Sequence, residues 1–317
     1  MIRNSIGIFS LFALLFLGIS ATAQDSGLDI LTLGPGTKAL GLNEAVTAEL
    51  LGASSLYSNP ANLAMENSST LNADYTLWIG DLTHTHAGVN LRKNNRALAF
   101  GFLTSEADEI PLRGNQPGPP DGSFNISTIA LSGGYAYRLG SLALGATIQY
   151  LREEYYIYNA SGYAANLGAS GAFWDNRIRV GASLLNLGKM NELRTQSTEL
   201  PTTFRTGFSA KLFTFVPPKN DNLPISVALN NDVIFPLQES RQTTQGNSSN
   251  QIYTNIAVEI SVAEIIALRT GYKTGDTVRP WSAGLGLDME SISANYAIIP
   301  FETGFGTVHS LGLQYQF

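Results

Sequence analysis

His84 and His86 are two of only three histidines in the chain. Separated by one residue, they share a face if the segment is a strand, because side chains two apart point the same way. That is half a metal site, and Asp74 on a neighbouring segment is a candidate third ligand. The remaining histidine is His309 and there is no cysteine, so the pair reads as polar groups near the rim of a polar interior, and no cofactor is expected. Gly34-Pro35-Gly36-Thr37-Lys38 has the glycines and the lysine of a phosphate loop, but not the full spacing, and no strand precedes it. There is no Gly-x-Ser-x-Gly elbow. Glu153-Glu154 falls in an expected external loop, where solvated charge is the reading. Without a nucleophile–base arrangement near the histidines, the chain is not expected to be an enzyme. A net charge of −6 argues against a nucleic-acid partner.

The elements that would position these residues begin after an apparent leader. Arg3 precedes an apolar run from Ile6 to Ile19, and Ala21-Thr22-Ala23 offers a small-x-small cleavage site. Residues 1–23 are therefore expected to be a secretory signal peptide, with mature protein starting near Gln24. No later run approaches the length of an apolar spanning helix. Only 14% of residues are charged, against about 25% in soluble domains.

From Leu71 onward the chain breaks into segments that alternate with period 2. Leu142, Leu144, Ala146, Ile148 and Tyr150 share one face, and Ala143, Gly145, Thr147 and Gln149 share the other. Ile256, Val258 and Ile260 oppose Asn255, Ala257 and Glu259 in the same way. Such alternation marks strands with one apolar face. Fourteen segments result: about 71–79, 84–91, 96–104, 126–137, 141–152, 161–173, 177–186, 202–213, 224–233, 251–260, 264–273, 281–288, 290–299 and 308–317. Links after the second, fourth, sixth, tenth and twelfth are short. Links 105–125, 187–201 and 234–250 are long and rich in Gly, Pro, Ser, Thr, Asn and Gln. Short turns on one side and long loops on the other describe a transmembrane barrel with its long loops outside. The link 214–223, with Pro217-Pro218, breaks that parity. The expected fold class is all-β, a transmembrane antiparallel barrel of about 14 strands in contact with outer-membrane lipid. It would span 71–317 and sit behind a small N-terminal plug at 24–70. The last strand alternates and ends on Tyr315 and Phe317, a pattern similar to the C-terminal assembly signal of bacterial outer-membrane barrels.

The face opposite the apolar stripe carries mixed charge: Asp74, Arg179, Arg205, Lys211, Glu259, Arg269 and Lys273. With His84 and His86 these are the expected polar residues of the lumen. Glu259 and Arg269 lie on neighbouring strands within pairing reach. A fourteen-strand barrel is wider than an eight-strand one filled by its own side chains, so something must occlude it. Residues 24–70 do not alternate. Lys38–Leu51 is apolar and Ala-rich, as in a short helix, and Asn59-Pro60 suits a turn.

This segment resembles the plug of the FadL-like fatty-acid transporter superfamily and, more closely, of the PorV/PorQ-like outer-membrane barrels. Gly36, Ala39, Leu40, Gly41, Tyr57, Asn59, Pro60, Ala61, Leu63 and Ala64 carry the likeness, with Ser58 and Asn62 departing from it. Tyr296-Ala297, Pro300-Phe301, Gly304-Phe305-Gly306 and Phe317 match the closing motif. The PorV/PorQ resemblance implies a component of type IX protein secretion, with cargo or translocon as protein partner. The wider superfamily implies the alternative, a passive channel for hydrophobic small molecules. Either would reside in the outer membrane of a Bacteroidetes-type bacterium.

Overall fold

A computed structural model describes residues 28–113, 119–194, 196–217, 223–237, 251–302 and 304–317. The expected signal peptide at 1–23 lies outside the described residues. Fourteen antiparallel strands form one closed barrel: β1 Thr70–Leu77, β2 Thr83–Lys93, β3 Arg96–Leu112, β4 Gly122–Leu139, β5 Leu142–Tyr155, β6 Tyr158–Phe173, β7 Ile178–Met190, β8 Thr203–Phe215, β9 Ile225–Pro236, β10 Tyr253–Val262, β11 Ile266–Lys273, β12 Trp281–Met289, β13 Ile292–Pro300 and β14 Thr307–Gln316. Each pairs with its chain neighbour. β1 closes the ring on β14, from Thr70 opposite Gln316 to Leu77 opposite His309. Closure leaves no unpaired edge, which is the condition for strands to lie in lipid.

The alternation resolves as lipid face and lumen face. Leu144, Ile148 and Leu311 are 57%, 70% and 62% exposed on the outside, while Ala143, Thr147 and Gln149 point inward and are each 1% exposed. Aromatic residues flank the apolar band. Phe173, Trp174, Phe213, Phe215 and Phe317 lie at the short-turn end, and Tyr155, Tyr156, Trp281 and Phe305 at the other, as interfacial girdles do. The Tyr315 and Phe317 rings stack at 5.8 Å on the outer surface.

Three expectations change. The loop expected at 105–125 is largely sheet, because β3 runs to Leu112 and β4 starts at Gly122. A bulge between Ala107 and Ile110 bends this ribbon. Beyond the bilayer both faces are wet, so side-chain alternation fades while backbone pairing continues. For the same reason Glu153 and Glu154 lie on the end of β5 rather than in a loop. Finally, the helix expected at Lys38–Leu51 is one turn, Thr37–Gly41. It stops because Asn43 and Glu44 take positive φ (46° and 64°), held there by barrel contacts described below.

Candidate functional site

The N-terminal segment, residues 28–69, lies inside the barrel. It contains only short helical turns, α1 Thr37–Gly41, α2 Ser55–Ser58 and a 3-10 turn at Pro60–Ala64 among them. Part of its backbone pairs within the segment, as the Glu44 amide does with the Ala39 carbonyl, and the barrel wall pairs other buried groups. Asp232 on β9 accepts from the Val46 and Thr47 amides, each at 2.9 Å, and from the Thr47 hydroxyl at 2.7 Å. Asn72 on β1 accepts from the Ala53 amide at 3.0 Å and donates to the Leu51 carbonyl. Asn90 donates to the Leu63 carbonyl at 3.1 Å, Asn166 to the Leu56 carbonyl at 3.0 Å, and Ser282 to the Gly41 carbonyl at 3.2 Å. Asn43 reciprocates from the plug, donating to the Pro280 carbonyl at 2.8 Å.

Asn59 is the hub of the plug motif and is fully buried. Its side-chain nitrogen donates to the Thr47 carbonyl at 2.8 Å, to Ser170 Oγ at 2.9 Å and to the Ala169 carbonyl at 3.2 Å. Its oxygen accepts from the Ala61 amide at 3.2 Å, capping the Pro60–Ala64 turn. Tyr57, Ala61 and Leu63 are buried beside it, and Tyr57 meets His86 edge-on at 5.6 Å. Pro60 packs over inward glycines that sequence reasoning passed over. A Cβ on Gly145 would lie 2.4 Å from the Pro60 carbonyl carbon, and one on Gly168 would lie 2.1 Å from Asn59 Oδ1. Gly181 and Gly271 likewise abut Thr47 and Leu42 backbone. These glycines form a notch in the wall at plug level. Their signal was available: they interrupt the polar face of alternating strands, where no turn needs them.

Ion pairs complete the attachment. Glu49 bonds Lys38 at 3.0 Å and Arg179 on β7 at 2.7 Å. Glu44 meets Arg279 at 3.2 Å. Burial alone would raise the Glu44 carboxyl, but Arg279, Lys273 and Arg205 outweigh it and hold it at about 2. Burial likewise acts on Glu49, and Arg179 and Lys38 reverse it, keeping that carboxyl below its ordinary range. Arg205 bridges Asp232, at 2.9 Å, to the Glu44 carbonyl. Arg269 is tied within the wall to Glu259 at 2.6 Å and Asn295 at 2.7 Å. Of the charged residues assigned to the lumen from sequence, Arg179 and Arg205 thus grip the plug and Glu259 and Arg269 grip each other. Lys211 is exposed at the short-turn rim.

His84 and His86 open into a different place. A cleft with about 370 Å³ of atom-free space lies between the first plug residues and β1–β3. Ile30, Leu33, Leu40, Trp78 and Leu103 give it apolar walls, and Asp74, His84 and His86 are its polar members. His86 Nδ1 is 3.0 Å from Asp74 Oδ2, while Asp74 Oδ1 accepts from the Thr37 amide at 2.8 Å. Among the described residues no group of three His, Cys, Asp or Glu could hold a metal ion. A second cleft, about 270 Å³, is lined by Lys38, Ser54, Asn72, Asn295 and Gln314. Both clefts share Pro35, Gly36 and Asp74. The first lies toward the long-link end of β1 and the second toward its short-turn end, so Gly36-Thr37 against Asp74 separates them.

This fold, a closed fourteen-strand barrel with its N-terminal segment inside, is similar to that of solved transport barrels. The chain is similar to the CymD monoaromatic hydrocarbon channel (12% identity, TM-score 0.59). It is similar to the Ralstonia pickettii toluene transporter TbuX (11%, 0.56) and the P. putida toluene transporter TodX (10%, 0.58). Each likeness covers 90% of this chain and 98% of the other. No family model and no curated protein matches the chain. At these identities the likeness establishes the fold alone.

Proposed function

We propose that this protein is a passive outer-membrane channel for small hydrophobic solutes, with the 24–70 segment as its plug. The observation that carries the reading is the apolar cleft bounded by Leu33, Leu40, Trp78 and Leu103, which sits directly over the plug. A solute leaving the outer leaflet or the medium enters this cleft. It then passes the Gly36–Asp74 constriction into the polar cleft along Asn72 and Gln314, which faces the short-turn, periplasmic end. The fold likeness to hydrocarbon channels supports the same reading.

Uptake tests it. Cells that carry this barrel as their only such channel should accumulate labelled toluene faster than cells without it. Leu103→Trp, which fills the cleft, should return uptake to background. Equal uptake with and without the barrel removes the reading.

A second reading rests on one observation. β3 and β4 continue as a paired ribbon to Leu112 and Gly122, past the apolar band, and such an ordered external hairpin suits a protein partner, secretion cargo or translocon included. A deletion strain that loses surface proteins while toluene uptake is unchanged would favour it.

A further inference from the structure

We infer that the upper cleft selects a neutral monoaromatic solute bearing a hydroxyl group over the bare hydrocarbon, holding the hydroxyl at His86 and His84. This rests on the channel reading above and deepens it. His86 is 3% exposed. Its Nδ1 faces the Asp74 carboxylate at 3.0 Å, with Ser54 Oγ at 3.4 Å. A carboxylate only accepts, so Nδ1 carries a proton, and in the neutral ring Nε2 presents a lone pair. That Nε2 is buried without a hydrogen-bond partner among the described residues, and so are both ring nitrogens of His84. Both rings line the cleft. A buried polar atom left unmatched carries a desolvation cost that a hydrocarbon cannot relieve and a donating hydroxyl can.

Charge and shape narrow the class. Asp74 lines the same cleft and repels a carboxylate. Arg279, stacked 5.4 Å from Trp78, is already bound to Glu44 at 3.2 Å, so among the described residues it does not offset that repulsion. An organic cation gains little, because both Asp74 oxygens are taken by the Thr37 amide and His86. A flat ring suits the walls: Trp78 lies 5.4 Å from His84 and 5.9 Å from Phe301, ring centre to ring centre.

Calorimetric titration of the detergent-purified barrel with p-cresol, 4-methylanisole, toluene and p-toluate tests this. p-Cresol should bind at least tenfold tighter than toluene. 4-Methylanisole, which has the oxygen but no donor, should bind like toluene, and p-toluate should bind more weakly than p-cresol. His84→Phe keeps the ring and leaves the Asp74–His86 pair intact. It should erase part of the preference for p-cresol over toluene, read as the ratio of the two affinities, and His86→Phe, checked for folding by its heat-modifiable gel migration, should erase most of the rest. Equal binding of p-cresol and toluene to the unmodified barrel overturns the inference and leaves the channel reading standing. A p-cresol preference that survives both substitutions also overturns it. Binding of neither compound overturns the inference and the channel reading together.

Discussion

Asn59→Ala should release part of the plug, at a cost worked from its four hydrogen bonds. Two losses are softened. The Thr47 carbonyl keeps a bond from Asn62 at 3.2 Å, and Ser170 keeps its bond to Asn62. The Ala61 amide, by contrast, is left without its cap, and the Ala169 carbonyl loses its side-chain donor. Taking about 1 kcal/mol for each of the two softened losses and about 1–3 kcal/mol for each of the other two, the cost is roughly 4–8 kcal/mol. Asn59→Asp separates two roles for this residue. If Asn59 only fixes a turn, Asp serves as well, since both cap helical turns alike. In this barrel Asp keeps the Ala61 bond but turns a second oxygen toward the Thr47 and Ala169 carbonyls in a dry site. No cation contacts that position, and a buried unpaired charge costs more than a lost hydrogen bond. Asn59→Asp should therefore be the worse variant. Guanidinium unfolding in micelles should give midpoints in the order wild type, Ala, Asp. Planar-bilayer recordings should show frequent ion-conducting openings in the Asp variant and few in wild type. An Asp variant as stable and as closed as wild type would refute the account of Asn59 as the plug's anchor.

Gly145→Ala should destabilise the barrel by about 1–3 kcal/mol through overpacking against Pro60, whereas Gly133→Ala, whose nearest neighbour is Phe100 at 3.8 Å, should be near neutral in the same unfolding assay. Leu144→Arg places a cation in lipid at a residue 57% exposed on the outer face. It should cost about 2–4 kcal/mol if the site is near mid-bilayer, read as folding yield into vesicles. Glu44 gives the plug a pH dependence. Its carboxyl, about 2 when folded against 4.5 ordinarily, stabilises the plug above pH 4.5, and the stabilisation fades as pH falls toward 2. Plug retention, followed as bilayer conductance, should drop across that window in wild type, and Glu44→Gln should flatten the drop.

Fourteen strands, their lipid face and the parity of most links were legible because they are local. Alternation with period 2 records which side of each strand is wet, and turn length records which strands are neighbours. Leu144 and Thr147 declare their faces without reference to anything distant. Asn59-Pro60-Ala61 was legible as a motif, and a turn could be expected from Pro and Asn alone.

What those residues hold was decided only by tertiary structure. Lys38–Leu51 carries helix-forming residues, yet Asn43 and Glu44 leave the helix because Pro280, Arg205 and Arg279 bind them from strands and loops more than 160 positions away. Asp232 was not singled out in the sequence, and the structure makes it the acceptor for Val46 and Thr47 across the barrel. The strand reach beyond the bilayer was hidden because backbone pairing needs no side-chain pattern once both faces are wet. The glycines of the notch were visible as gaps in the polar face, but their purpose appears only when the plug backbone, folded from another part of the chain, is laid against them.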